Sequence, residues 1–207
     1  MKKACFLIFI FSVLTWNGSA FGYSVSMVNF GSDDVSNIQV MVDDIAGGAK
    51  ITVDVSSGPI IADITGVFFD LQPPFVDPTK IGSLSPSFAY NEKEGAVSKA
   101  PNNSNMGGSI SAFDVGVAIG ATGLSDKGSP DDFQTVMFSV FGEGLDASDF
   151  TRLGVRLQSV GTAGSSRGGS AKYVGTPNPV PESTTAILLG MGLIGLAGLG
   201  RKKFRKS

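Results

Sequence analysis

The side chains with chemistry to offer in this 207-residue sequence are carboxylates. Aspartates occur as the pairs Asp33-Asp34, Asp43-Asp44 and Asp131-Asp132, and Asp63 and Asp70 bracket an apolar run. Oxygen-rich sites of this kind suit calcium, which takes six to eight oxygen ligands. Asp33, Asp43, Asp63 and Asp70 are therefore the calcium candidates. No Asp-x-Asp-x-Asp-Gly loop and no nine-residue calcium repeat accompanies them. Adjacent aspartates on a strand point to opposite faces, so each pair supplies one ligand per face. The competing reading is solvated turn residues. A pair of carboxylates about 5 to 10 Å apart can also hydrolyse a glycosidic bond.

Other chemistries are excluded by residue type. There is no histidine, which removes Ser-His-Asp and Cys-His mechanisms and the usual zinc ligands. The single cysteine, Cys5, lies near the N-terminus, so the rest of the chain has neither disulfide nor thiol chemistry. The expectation is a protein that is not an enzyme. Phe68 and Phe69 could face a ligand, but core packing is the stronger expectation for such a pair. Asn102-Asn103-Ser104 matches a glycosylation sequon.

Both ends of the chain carry apolar runs. Lys2 and Lys3 precede an apolar stretch over residues 4–14, and the small residues Gly18, Ser19 and Ala20 follow. This is the order of a secretory signal peptide, with cleavage after Ala20 or Gly22. The alternative, a retained anchor, would have an apolar run of about eleven residues where a span needs ~20. At the other end, residues 183–200 contain no charge, and Arg201, Lys202, Lys203, Arg205 and Lys206 follow at once. Eighteen helical residues would reach about 27 Å, close to the ~30 Å hydrocarbon core. The basic cluster is expected to stay on the cytoplasmic side. Between domain and span stand Pro177, Pro179 and Pro181, which predict a stiff extended linker over residues 173–182.

Val180, Pro181 and Glu182, followed by an apolar glycine-containing segment and a basic end, resemble the PEP-CTERM sorting signal of Gram-negative bacteria. Ser183 stands where that pattern usually has a second proline. The resemblance covers about the last thirty residues. It implies a substrate of exosortase, anchored in the inner membrane by residues 183–200 until the tail is removed. Delivery to the cell surface or to extracellular polysaccharide would follow. A plain single-span anchor would read almost identically. Two internal blocks, residues 62–70 and 156–161, are also similar to segments of PEP-CTERM proteins. The role implied is structural or adhesive; the alternative is a carbohydrate-binding or glycoside-hydrolysing surface domain.

The elements that must carry any site are strands. Period-two alternation marks residues 38–43, 50–55, 136–140 and 153–158, and residues 64–71 are nearly continuously apolar, as in a central strand covered on both faces. Residues 23–30, 87–91 and 113–119 are further candidates. Gly47-Gly48, Ser57-Gly58-Pro59 and Pro73-Pro74 punctuate them. The expected fold is all-β, an antiparallel sandwich or jelly roll over residues 23–172, after a signal peptide at 1–22. One short helical turn is expected near residues 145–150, capped by Asp146 or Ser148. Residues 92–109 and 161–170 read as polar loops. Between residues 23 and 180 the chain carries 9 basic and 17 acidic residues, a formal charge of −8. Such a domain is a poor partner for nucleic acid, which requires a basic surface.

Overall fold

The computed structural model describes residues 22–31, 33–35, 37–73, 81–121, 131–180 and 191–192. The N-terminal apolar run, Pro181, Glu182 and the basic cluster Arg201, Lys202, Lys203, Arg205 and Lys206 lie outside the described residues. Among the described residues no helix is long and apolar enough to cross a membrane.

The fold is all-β. Its strands are β1 (Gly22–Asn29), β2 (Gln39–Ile45), β3 (Gly48–Asp54), β4 (Ile60–Leu71), β5 (Ser83–Ser85), β6 (Tyr90–Val97), β7 (Phe113–Ala118), β8 (Thr135–Phe141), β9 (Phe150–Thr162) and β10 (Gly169–Val180). A 3-10 turn, Ala147–Asp149, stands before β9. Asp146 caps it, accepting from the Ser148 N–H at 2.7 Å, while the Asp149 carboxylate accepts from the Asp146 N–H at 2.8 Å. This is the reciprocal arrangement of a capping box.

The expected sandwich is corrected in one respect. All ten strands hydrogen-bond in one continuous antiparallel sheet, in the order β5-β8-β3-β2-β1-β10-β9-β4-β7-β6, curled into a half-barrel. The joint is β1. It pairs with β2 over only three residues, Gly22 to Ser24, and with β10 over all eight. The strand therefore carries the ladder from one half of the sheet to the other. The curl brings the two halves onto one core: Val42, Ile51, Val53 and Phe138 from one half share a buried cluster with Ile64, Val155, Leu157 and Tyr173 from the other.

Residues 64–71 behave as a strand covered on both faces. Val67, Phe69 and Leu71 enter the main core, whereas Phe68 enters a second cluster on the outer face with Val97, Ala100, Met106 and Phe113. The latter correct the polar-loop expectation for residues 92–109. That segment contributes β6 and then folds over the outer face of β4, β7 and β9, because Val97, Ala100 and Met106 are apolar enough to bury there. Room for the rings is made by glycine. A Cβ on Gly154 would stand 2.6 Å from Phe113 Cζ, and one on Gly116 would stand 2.8 Å from Phe68 Cε1.

Residues 161–170 are not a free loop either. They form the tip of the β9–β10 hairpin, with β9 running to Thr162 and β10 starting at Gly169. The linker expected at residues 173–182 is largely strand: β10 continues to Val180. Its prolines are compatible with pairing because they are two residues apart. Both missing N–H groups fall on one side of the strand, the side that β9 leaves unpaired beyond Gly175. The opposite side stays paired with β1 to the end, Tyr23 against Pro179 and Gly22 against Val180. The sheet's outer edges are defended: β5 is three residues long, and β6 carries Glu92, Lys93 and Glu94 with a register shift against β7.

Candidate functional site

The calcium candidates are dispersed. Asp33 accepts from the Ser170 N–H at 2.8 Å at the start of β10. Asp43 on β2 pairs with Lys50 on β3 at 3.1 Å. Asp70 and Asp63 stand toward opposite ends of β4. Among the described residues no three histidine, cysteine or acidic groups converge on a point that would hold a metal ion.

Asp70 belongs to a cross-strand staple. Its carboxylate accepts from Arg152 Nε at 2.6 Å and from the Asp114 N–H at 3.0 Å. Asp114 accepts in turn from the N–H groups of Leu71, at 3.1 Å, and Gly95, at 2.7 Å. The Arg152 guanidinium lies 4.0 Å from the centre of the Phe113 ring. Burial raises the Asp70 carboxyl above its ordinary value, with Arg152 opposing.

Asp63 is the most unusual group. Ala62 and Ile64 point into the main core, so Asp63 faces outward, where the segment leading into β8 crosses it. The Ile64 N–H donates to the Phe133 carbonyl at 2.8 Å, and the Phe133 N–H donates to Asp63 Oδ1 at 3.0 Å. The residue is 1% exposed, and Oδ2 has no protein partner. Burial pushes its carboxyl up to about 7; the Phe133 N–H and Arg167 oppose the shift, and Asp132 and Asp131 reinforce it. Beside it, Arg167 Nη2 binds Asp132 Oδ2 at 2.5 Å, the two side chains being 4% and 10% exposed.

Arg167 reaches this position because the hairpin tip folds back over β9, its stem passing above Gly161. The same tip borders an open cavity of about 260 Å³ lined by Arg156, Gln158, Ser159, Arg167, Gly168, Gly169 and Ser170. Neither Asp63 nor Asp132 lines it. Arg156 Nη1 donates to the carbonyls of Leu157, at 3.0 Å, and Ala171, at 2.9 Å, while Nε has no protein partner. Directly across the β9–β10 ladder from Arg156 is Lys172, whose ammonium donates to the Gly107 carbonyl. Burial lowers the pKa of Arg156, and burial together with Arg156 lowers that of Lys172.

A second cavity, about 350 Å³, opens on the outer face of β1 and β10 between Phe30, Val28, Ser26, Thr176 and Asn178, with Arg152 also in its lining. Phe30, 51% exposed, is the aromatic residue most open to solvent among the described large apolar side chains.

Chemically, the carboxylates of this protein serve mainly as acceptors for main-chain N–H groups and for arginines. Asp63 is closed off from both cavities. The sequon is likewise structural. Asn102 Nδ2 donates to the carbonyls of Thr65, Ile119 and Gly120 at 2.7, 3.2 and 3.1 Å, its Oδ1 accepts from the Ser104 N–H, and Ser104 Oγ donates to Thr65 O at 2.7 Å. The sequence marks Arg156 as an outward residue of the 153–158 alternation but assigns no site to it, to Arg167 or to Lys172. The signal for the last was its alternation with Ala171 and Tyr173, which defines a strand where a linker was expected. Comparison of the chain with protein-family models, with curated proteins and with solved structures finds no match.

Proposed function

We propose that this is an exported, non-enzymatic protein of the bacterial surface or exopolysaccharide, with a structural or adhesive role. In this reading exosortase sorts it through the Val180-Pro181-Glu182 tail, and residues 183–200 hold it in the inner membrane until processing. The observation that carries the reading is the end of β10. The folded domain runs to Val180, the first residue of the motif, and that residue is 41% exposed. An extended peptide already in strand conformation, at the rim of a stable sheet and just before an apolar segment, is a form a membrane enzyme can grip. The burial or pairing of Asp63, Asp70, Asp114 and Asp132 favours a binding or scaffolding role over carboxylate catalysis.

The test is the intact mass of the protein from a wild-type host and from one lacking exosortase. Loss of both ends only in the wild type is the expected result. Retention of residues 183–207 in the wild type would overturn sorting. A carbohydrate-binding form of the role is favoured by Phe30, exposed beside the hydroxyl and amide groups of Ser26, Thr176 and Asn178.

A further inference from the structure

Arg156 and Lys172 stand directly opposite one another on adjacent strands, and no carboxylate ion-pairs with either among the described residues. Like charges placed so are destabilising in themselves. The arrangement stands in a domain with nearly twice as many acidic as basic residues. Arg156 also lines the hairpin cavity, whose wall includes a further cation, Arg167, but not Lys172. Arg156 Nη1 is held by two carbonyls and its Nε is enclosed, which leaves Nη2 as the nitrogen able to meet a ligand; Arg167 is 4% exposed, with Nη2 on Asp132 and Nη1 enclosed. An oxyanion is the acceptor that matches the planar fork of a guanidinium.

The carboxylates close by are already engaged: Asp132 on Arg167, and Asp33 on the Ser170 N–H. The rest of the wall is polar, with Gln158, Ser159 and the Gly168-Gly169 backbone, and its 260 Å³ is more than a lone inorganic ion requires. Below the range of drug-sized pockets (about 300–1,000 Å³), such a space suits one compact hydroxylated unit.

We propose that the β9–β10 hairpin cavity is a binding site for the carboxylate of an acidic saccharide, held by Arg156 with Lys172 and Arg167 supplying the surrounding positive charge. The site does not depend on how the tail is processed, so its failure and that of the sorting reading are separable.

The test is thermal unfolding of the full chain in a polyoxyethylene detergent, with tri-galacturonate, maltotriose or sodium sulfate as the added probe. A ligand that binds only the native state raises the melting temperature. Tri-galacturonate is expected to raise it and maltotriose to leave it unchanged. Two variants identify the site. Arg156→Gln is expected to weaken tri-galacturonate binding at least tenfold. Lys172→Glu places a carboxylate opposite Arg156, so it is expected to remain folded, to melt no lower than the parent, and to lose the tri-galacturonate response. A response retained by a folded Lys172→Glu would overturn the site. An equal response to sulfate and tri-galacturonate would overturn the saccharide in favour of a free oxyanion. No response to any probe would overturn both.

Discussion

Gly22, the first residue of β1, is the register partner of Val180, the last residue of β10. The candidate signal-cleavage position and the candidate sorting motif are thus neighbours across one antiparallel ladder, although 158 positions separate them in sequence. Among the described residues the pairing also makes β1 the only strand partner of β10 beyond Gly175. A cysteine pair at Ser24 and Asn178, which are also register partners, should form a disulfide on mild oxidation in a Cys5→Ser background. Opposed residues in such a ladder have Cα atoms ~5.5 Å apart, within disulfide range. The diagonal pair Ser24→Cys with Thr176→Cys should cross-link far more slowly. Mass spectrometry under non-reducing conditions reads both.

Asp63 should make stability depend on pH. Its native carboxyl titrates near 7 against 3.8 when unfolded, so between about pH 4 and 7 the native state holds a proton that the unfolded state releases. The resulting stabilisation is complete below about pH 4 and is lost as pH rises through 7. Asp63→Asn keeps an acceptor for the Phe133 N–H and removes the charge. The variant should be more stable than the parent by about 1–2 kcal/mol at pH 8, with the difference shrinking toward pH 5. Urea unfolding at the two pH values measures it; a constant difference would be the contrary result.

Gly154→Ala should cost about 1–3 kcal/mol, because the new methyl meets Phe113 Cζ at 2.6 Å and Met106 Cε at 2.9 Å inside the outer-face cluster. Gly168→Ala, at a position with open space around the added Cβ, is the control and should change stability little. Denaturant midpoints compare the two.

Tyr173→Phe should cost about 1–2 kcal/mol. The Tyr173 hydroxyl accepts from the buried Val35 N–H at 2.6 Å and donates to Asp34 Oδ1 at 2.6 Å, fastening the segment between β1 and β2 to β10. Burial, first, and then the Asp34 contact push its pKa up to about 12. Amide hydrogen exchange at Val35 should accelerate in the variant while that at Ile51 changes only with global stability.

Chelation should move the melting temperature by less than about 2 °C. Asp33, Asp43, Asp63 and Asp70 accept from N–H groups or basic side chains in four separate places, and among the described residues no three acidic groups converge on one point. Scanning calorimetry with and without EDTA and added calcium checks this.

Much of the sheet was legible in the sequence because alternation is a local property. Val40 and Val42, Ile51 and Val53, and Val136, Phe138 and Val140 all lie on the core face, as their spacing of two requires. The continuous run through Phe68 and Phe69 announced a strand buried on both sides, and it is one. The strands β5 and β10 were missed for opposite reasons. β5 is three residues long and too short for a pattern. β10 is long, but Pro177 and Pro179, with Gly175, Thr176 and Asn178 around them, hid it, and only the partner strand decides whether a proline's missing N–H faces the ladder or the open side.

The candidate site was much less legible. By itself the sequence determined the all-β class, the acidic surface, the absence of histidine and thiol chemistry from the domain, and the order of apolar run, domain, proline-rich motif, apolar run and basic end. Each of these is carried by residue type or by spacing over a few positions. Only the tertiary structure decided that the sheet is continuous through β1, that Asp63 is buried beneath Phe133, and that Arg156 faces Lys172 beside Arg167. Those relations depend on register and on how a curled sheet folds its hairpins back. Register is a long-range match between strands, set by the packing of the whole core, and no local run of residues records it.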